Sequence, residues 1–298
     1  MRRYVTLLVL SLLAVPTIAS ATVPAINHLV VVLEENHDYS QIVGNSSLPY
    51  LNSLIAKGAL LTKRNANFHP SLPNYLDLTS GSNDGVTKDE CYKSLAPITA
   101  DNLVRHLNSG GRTWRAYMEG LPSRGSSVCS SGYYAVRHDP FWYYSDVRSS
   151  AAEQDNIYPS PQMQTDIRTT GLARYSFAVP NVCDDMHADS SCSNGCTNPT
   201  SSACYKPADG WLSANIGPVL KTPGFTAGGH DLLEIVFDEG IGSNQQVFAL
   251  FLGPNVKAGY KSTVSYTEPN DLKTWATVLG ITAPQAGATA AVEADIFQ

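Results

Sequence analysis

Stretches of apolar residues alternate along the chain with stretches in which apolar residues recur every three or four positions. The apolar stretches predict strands over residues 28–33, 113–117, 174–179, 232–237 and 247–252. The helical spacing predicts helices over residues 48–57, 101–108, 208–220 and 271–279. Several of the strands are apolar without alternation, which is typical of strands buried on both faces. We therefore predict an α/β fold with a mostly parallel central sheet and helices on both faces.

The first 21 residues have the pattern of a secretory signal peptide. Arg2 and Arg3 precede an apolar stretch over 5–15, which is too short to span a bilayer, and Ala19-Ser20-Ala21 fits a cleavage site. We expect cleavage after Ala21, a single domain over 22–298, and a secreted or periplasmic location.

Composition and charge narrow the possible functions. With 298 residues, 43% hydrophobic and 15% charged, the chain is long and apolar enough to bury a core. Its net charge of −6 gives no basic surface for nucleic acid. No later apolar stretch is long enough for stable membrane insertion, and no obligate protein partner is indicated.

Six cysteines, all after residue 21, agree with export and predict up to three disulfides. They are Cys91, Cys129, Cys183, Cys192, Cys196 and Cys204. Sequence alone does not choose their pairing, and the spacing of Cys192 and Cys196 leaves a zinc site as the alternative. We predict long loops or a small cap over 121–170 and 183–206, the second of them stapled by disulfides.

Acidic and amide side chains follow two of the predicted strands. Glu35 and Asn36 come after the first, and Asp238 and Glu239 come after 232–237. Because ligands bind at the carboxyl ends of parallel strands, we expect these side chains to converge on one divalent cation. Without a cation, their proximity would raise their pKa values. The alternative is that each pair of polar side chains only faces solvent at the end of its own strand.

A further helix is predicted to begin near Ser71. Its apolar spacing is carried by Leu72, Tyr75, Leu76 and Thr79. Ser71 suits the N-cap, with Pro73 in the first turn, and the free N–H groups there suit a phosphate. Beside a metal, the Ser71 hydroxyl would be activated as a nucleophile. The alternative is that Ser71 only caps the helix.

Three ordered segments carry a resemblance to a known family. They are Glu35-Asn36-His37, His69-Pro70-Ser71-x-Pro73-Asn74-Tyr75 and Phe237-Asp238-Glu239. Together they resemble the bacterial acid phosphatase and phospholipase C phosphoesterase family, and most closely its short secreted acid phosphatases, including those acting on phosphoinositide phosphates. The likeness runs from about residue 26 to 280. It implies an alkaline-phosphatase-like fold, a single divalent metal and a hydroxyl nucleophile.

The resemblance also implies roles for single residues. The metal ligands implied are Glu35, Asn36, Ser71, Asp238 and Glu239, and Ser71 is also the implied nucleophile. Asn74 is implied to hold a phosphate oxygen. The segment from Arg137 to Phe141 and the segment from Asn181 to His187 imply that His138 and His187 contact phosphate or move protons. Arg137 and Lys57 are further candidate cations for an anionic substrate.

Three functions are compatible with these residues. The first is a secreted metal-dependent acid phosphatase that hydrolyses small-molecule or lipid-headgroup monoesters through a phosphoserine. The second is a phosphodiesterase of the phospholipase C type, and the third is a non-catalytic secreted cation-binding module. The donor set leaves the metal open among Ca, Mg, Mn, Zn and Fe. Because imidazoles protonate near pH 6.5, histidines at the site favour an acid optimum.

Overall fold

The computed structural model describes residues 22–298, and the predicted signal peptide lies outside them. The strands are β1 (His28–Glu34), β2 (Ala59–Leu61), β3 (Trp114–Met118), β4 (Ser130–Ser131), β5 (Tyr134–Ala135), β6 (Ile157–Pro159), β7 (Tyr175–Val179), β8 (Asp231–Phe237), β9 (Ala249–Leu252) and β10 (Tyr260–Ser262). The α-helices are α1 (Tyr39–Ile42), α2 (Pro49–Ile55), α3 (Ser71–Ser80), α4 (Leu103–Ser109), α5 (Ser145–Arg148), α6 (Ala151–Gln154), α7 (Pro161–Arg168), α8 (Ser202–Val219) and α9 (Glu268–Leu279).

One eight-stranded sheet runs through the structure in the order β10-β2-β9-β8-β1-β7-β3-β6. Strands β8, β1, β7, β3 and β6 run parallel to one another, whereas β9 is antiparallel to both β8 and β2. The predicted mostly parallel sheet is confirmed. Strands β1 and β8 lie next to each other at its centre, so the residues that follow them emerge at one edge.

Both faces of the sheet are covered, as predicted. On β1, Leu29 and Val31 pack with residues of α3, α4 and α9, while Val30 and Val32 pack with residues of α2 and α8. All four of these side chains are fully buried. This two-sided burial explains why β1 is apolar at successive positions rather than at alternate ones.

Two sequence-based expectations differ from the structure. Helix α8 begins at Ser202, earlier than the predicted start at Ala208, and the segment 121–170, predicted as long loops or a small cap, contributes β6 to the main sheet and also contains α7. Strand β6 is a three-residue strand in which Ile157 is buried and pairs with Ala116 of β3. The expectation of loop structure was wrong there because this edge strand is held by pairing with β3, which local composition does not reveal.

The six cysteines form three disulfides: Cys91–Cys129, Cys183–Cys192 and Cys196–Cys204. The zinc alternative is wrong, because Cys192 and Cys196 belong to two different disulfides. The predicted stapling of the loop after residue 183 is confirmed. Within residues 22–298, no helix has the length and apolar composition that crossing a bilayer requires.

Candidate active site

The carboxyl ends of β1 and β8 lie side by side, since Glu34 pairs with Phe237. The residues that follow are therefore in contact. The Asn36 backbone N–H donates to Asp238 Oδ1 (3.3 Å), and Asn36 Nδ2 donates to Glu239 Oε1 (2.9 Å). Asn36 has a φ of +40°, a left-handed conformation that asparagine tolerates better than most residues. The turn after β1 thus folds the Asn36 amide back towards the end of β8.

Ser71 completes this cluster from the start of α3. Its hydroxyl donates to Glu35 Oε2 at 2.9 Å. Asn36 Oδ1 lies 3.5 Å and Glu239 Oε1 lies 3.4 Å from the same Ser71 oxygen. The structure therefore brings together the five residues expected to bind a cation. We call Glu35, Asn36, Ser71, Asp238 and Glu239 the oxygen cluster.

The start of α3 differs in one detail from the prediction. Ser71 is the first helical residue and Pro70 occupies the N-cap, so the predicted N-cap position of Ser71 was wrong. The Leu72 backbone N–H is not free for a ligand, because it donates to Asp89 Oδ1 (2.9 Å). A helix start leaves several unpaired N–H groups, and here an acidic side chain from a loop satisfies one of them.

Apart from the partly exposed Asn36, the oxygen cluster is buried, and it is rich in carboxyl groups. Burial, followed by repulsion from Glu35 and Glu239, raises the pKa of Asp238 well above its usual value. Burial also raises the pKa of Glu35, and it raises the pKa of Glu239 to about 9. These carboxyls resist ionisation together unless a positive charge lies among them.

The donors of the oxygen cluster fit a divalent cation. Asp238 Oδ2 is buried without a hydrogen-bond partner, although buried polar atoms are normally paired. Carboxylate, amide and hydroxyl oxygens suit hard cations such as Mg²⁺, Ca²⁺ and Mn²⁺. Across residues 22–298, no group of three or more His, Cys, Asp or Glu side chains alone has cation-binding geometry. The fit therefore depends on Asn36 and Ser71 as well as on the carboxylates.

A second layer of side chains holds Glu35. The Tyr75 hydroxyl donates to Glu35 Oε1 at 2.5 Å, and His138 Nε2 lies 3.2 Å from the same oxygen. The His138 ring stacks on Tyr75, and His138 Nδ1 lies 3.4 Å from Asp185 Oδ2. His138 is only 3% exposed, and burial lowers its pKa well below the usual value. The structure therefore places His138 behind Glu35, and direct contact with phosphate stays a prediction.

His187 lies at the open side of the site. Its Nδ1 is 2.8 Å from the Ala188 carbonyl oxygen, which only accepts, so Nδ1 carries a proton. In the neutral ring, Nε2 then has a free lone pair and can accept a proton. The partly exposed His187 lines a cavity of about 310 Å³ together with Arg137, and one of about 650 Å³ together with Asn36 and Glu239.

The other residues predicted to contact the substrate lie in different parts of the structure. Arg137 Nε is 3.7 Å from Asp89 Oδ2, and Asp89 in turn accepts from the start of α3. Asn74 is fully buried and is hydrogen-bonded to both the backbone N–H and the backbone carbonyl of Phe68. It fixes the loop before Ser71, and its phosphate contact stays a prediction. Lys57 is excluded from this site, since it follows α2 at the opposite end of the sheet.

His69 is a neighbour of the oxygen cluster that the sequence analysis did not include among the site residues. Its Nδ1 lies 2.7 Å from Glu239 Oε2, and the ring lines the same cavity as His187. In the sequence, its position two residues before Ser71 indicated that His69 lies near the site. Tyr75, one turn into α3, is indicated in the same way, since it is four residues after Ser71 and on the same helix face.

Comparison with known proteins decides the family. The model of the Phosphoesterase family matches residues 45–198. A phosphatidylinositol-3-phosphatase of Mycobacterium tuberculosis is 35% identical over 257 residues, which cover 85% of this chain and 78% of that protein. The chain belongs to the Phosphoesterase family. The suggested family is confirmed.

Further comparisons agree with this membership. A probable acid phosphatase of Kluyveromyces lactis is 25% identical, covering 83% of this chain and 57% of its own length. The chain thus spans just over half of that fungal relative. An alkaline-phosphatase-superfamily protein of Vibrio parahaemolyticus superposes with a TM-score of 0.59 at 12% identity, over 90% of this phosphoesterase and 69% of that structure. The predicted alkaline-phosphatase-like fold and the enzyme class, a phosphoric monoester hydrolase, are confirmed.

The raised pKa values in this phosphoesterase predict a pH effect on its stability. Unfolded glutamate titrates near pH 4.3, whereas the pKa of Glu239 in the fold is about 9. Between these values the folded state holds the proton more tightly, so stability falls as pH rises through the window. We expect the metal-free protein to melt at a higher temperature at pH 5 than at pH 8. Differential scanning calorimetry after exhaustive chelation measures this.

A divalent cation should reverse that trend. It binds the ionised carboxylates and displaces their protons, so its affinity should rise with pH. We therefore expect added Mg²⁺ or Mn²⁺ to raise the melting temperature more at pH 8 than at pH 5. Equal stabilisation at both pH values would contradict a cation held by these carboxylates.

Proposed function

We propose that this chain is a secreted, metal-dependent acid phosphatase that hydrolyses phosphate monoesters through a phosphoserine at Ser71. The single observation that carries the proposal is the position of the Ser71 hydroxyl, 2.9 Å from Glu35 and within 3.5 Å of two further members of the oxygen cluster, Asn36 and Glu239. A serine that merely capped a helix would not need this surrounding of buried acids, which costs stability.

The first step is an in-line attack by the Ser71 oxygen on phosphorus. Glu35 Oε2 accepts the hydrogen bond from that hydroxyl, so it orients the oxygen and favours loss of its proton. The oxygen cluster would hold the cation, which lowers the pKa of the hydroxyl and balances charge on the phosphoryl oxygens. As the new Ser71–phosphorus bond forms, the bond from phosphorus to the ester oxygen breaks.

His187 transfers protons in both steps of the proposed reaction. In its imidazolium form, His187 is suited to give the proton on Nε2 to the leaving alkoxide, and the Nε2 freed in this way then takes a proton from the water that hydrolyses the phosphoserine. Water supplies the oxygen of the released phosphate, and Ser71 takes back from Glu35 Oε2 the proton that it gave up in the attack. Arg137 supplies positive charge for the anionic substrate beside the opening, and the imidazoles of His69 and His187 line the same opening.

Export and domain organisation belong to the same proposal. Three disulfides, two of them in the loop beside His187, are typical of proteins that work in oxidising compartments. We infer that residues 22–298 act as one phosphoesterase domain after removal of the leader. The proposed substrate class includes soluble monoesters and the phosphate groups of lipid headgroups, because a mycobacterial relative is named for a phosphoinositide.

Substrate assays separate the remaining alternatives. We expect turnover of p-nitrophenyl phosphate and no turnover of bis(p-nitrophenyl) phosphate or phosphatidylcholine. The monoester offers a second ionised oxygen to the cation, which a diester lacks. Efficient hydrolysis of the diesters would favour the phospholipase C type. Binding of cations with no turnover of any phosphoester would favour the non-catalytic module.

The covalent step is tested by stopping the reaction with acid at saturating substrate and mapping phosphate by mass spectrometry. We expect phosphate on Ser71, with more of it in His187→Ala, because that variant hydrolyses the intermediate slowly. Arg137→Ala, on the same opening, is the comparison, since it should weaken substrate binding without accumulating phosphoserine. Phosphate on any other residue would contradict the assignment, as would its absence in both wild type and His187→Ala.

A further inference from the structure

A cavity of about 690 Å³ lies at the opposite end of the sheet from Ser71. Gly228, shortly before β8, and Gly253, directly after β9, are part of its wall. Asp238 and the rest of the oxygen cluster follow the other end of β8. The two sites therefore share no residue and are separated by the length of the sheet.

The walls of this cavity are mostly apolar. Leu54 of α2, Leu252 of β9, and Leu220 and Phe225 beyond α8 form them. Leu54 and Leu252 are buried, so this part of the wall is fixed by the core. The volume falls within the range of about 300–1,000 Å³ that small-molecule sites occupy.

Two lysines give this cavity positive charge in a chain whose net charge is negative. Lys57 and Lys221 both line it and are both exposed. Within residues 22–298, no carboxylate lies within 4.0 Å of either ammonium group. Two unpaired cations beside an apolar space, in a chain of net charge −6, are complementary to an amphiphile with an anionic head.

We propose that this cavity binds a free long-chain carboxylate of the fatty-acid type. Its alkyl chain would pack against Leu54, Leu220 and Leu252, and its carboxylate would accept hydrogen bonds from Lys57 Nζ and Lys221 Nζ. The binding is non-covalent. The competing explanation is that each lysine only stabilises the helix end that it follows, at Ile55 of α2 and at Val219 of α8. That explanation predicts no ligand.

Helix α8 offers a matched pair of substitutions. A Cβ atom at Gly217 would lie 3.3 Å from the Tyr50 hydroxyl, and both residues line the cavity. Leucine at 217 would therefore extend into the space that the alkyl chain needs. At Gly210 on the same helix, an added Cβ meets nothing within 4 Å. Both changes replace glycine by a good helix former, and circular dichroism of each variant checks that α8 still folds, because residue 217 directly precedes Pro218.

The test is a titration of the full chain with the fluorescent fatty acid cis-parinaric acid below its micelle concentration. We expect saturable binding to wild type and to Gly210→Leu, and a loss of affinity of about tenfold or more in Gly217→Leu. Both variants should keep wild-type activity towards p-nitrophenyl phosphate, because the cavity is remote from Ser71. Equal affinity of Gly217→Leu and Gly210→Leu would overturn the proposal, as would the absence of saturable binding to wild type.

The charged end is tested with Lys57→Gln/Lys221→Gln. This double variant should bind the fatty acid about tenfold more weakly. It should bind the uncharged alcohol of the same chain length as wild type does. An equal loss for acid and alcohol, or wild-type binding that needs phospholipid vesicles, would overturn the assignment of a free carboxylate.

Discussion

Replacing Ser71 by alanine is expected to lower kcat for p-nitrophenyl phosphate by at least on the order of 10⁴-fold, because the variant has no oxygen to form the covalent intermediate. The fold should persist, since the side chain lost is small. The Ser71 hydroxyl also contributes to the oxygen cluster, so metal affinity should fall modestly. Steady-state kinetics and metal titration on the same preparation separate these two effects.

The matched control for this prediction is Ser80→Ala. Ser80 is the last residue of α3, is as buried as Ser71, and donates to the Leu76 carbonyl oxygen at 3.0 Å. Loss of the Ser80 hydroxyl should lower the free energy of unfolding by on the order of 1 kcal/mol and leave kcat nearly unchanged. If Ser71→Ala and Ser80→Ala lost similar amounts of activity, Ser71 would be a structural residue and the nucleophile would have to be sought elsewhere.

The second large effect is expected for Asp238→Asn. An amide in place of a carboxylate removes one negative charge from the oxygen cluster and should weaken divalent-metal binding by about tenfold or more. At a metal concentration near 100 times the wild-type Kd, the stabilisation by metal should fall from about 2.7 to about 1.4 kcal/mol. Thermal unfolding with and without Mn²⁺ measures this directly, independently of turnover.

The same substitution makes a second, opposite prediction for the metal-free protein. Burial and repulsion from Glu35 and Glu239 raise the pKa of Asp238, so a neutral amide should relieve that repulsion. Metal-free Asp238→Asn should be at least as stable as metal-free wild type at pH 8. Asp231→Asn, at the other end of β8, is the control, because Asp231 accepts from the His28 backbone and lies outside the cluster. If Mn²⁺ stabilised Asp238→Asn as much as it stabilises wild type, the role of Asp238 as a metal ligand would be contradicted.

Much of the sheet could be predicted because its central strands are buried on both faces. Strands such as β1 and β8 have apolar residues at successive inner positions, interrupted in β8 only by the buried Glu234, which gives a recognisable pattern in the sequence. The short outer strands β6 and β10 have no such pattern. Tyr260 and Lys261 of β10 are not buried, and pairing with β2 decides their conformation.

Some residues of the site could likewise be predicted from the local sequence, whereas the positions of others depend on the tertiary structure. Glu35 and Asp238 could be singled out because an abrupt change from apolar strand to acid is visible in the sequence. That Asp89 would accept from Leu72 could not be predicted, since a loop seventeen residues away supplies it. The position of His138 behind Glu35, rather than in the opening, likewise depends on packing against Tyr75.

The central claim is that the oxygen cluster holds one divalent cation in contact with the Ser71 hydroxyl. Its most direct test is a crystal structure of the full protein grown with Mn²⁺, with anomalous data collected at the manganese edge. The account predicts one strong anomalous peak bonded to Glu35, Asn36, Asp238, Glu239 and Ser71 Oγ. Saturating Mn²⁺ with no peak there, or a peak whose ligands exclude both Ser71 and Asp238, would contradict it.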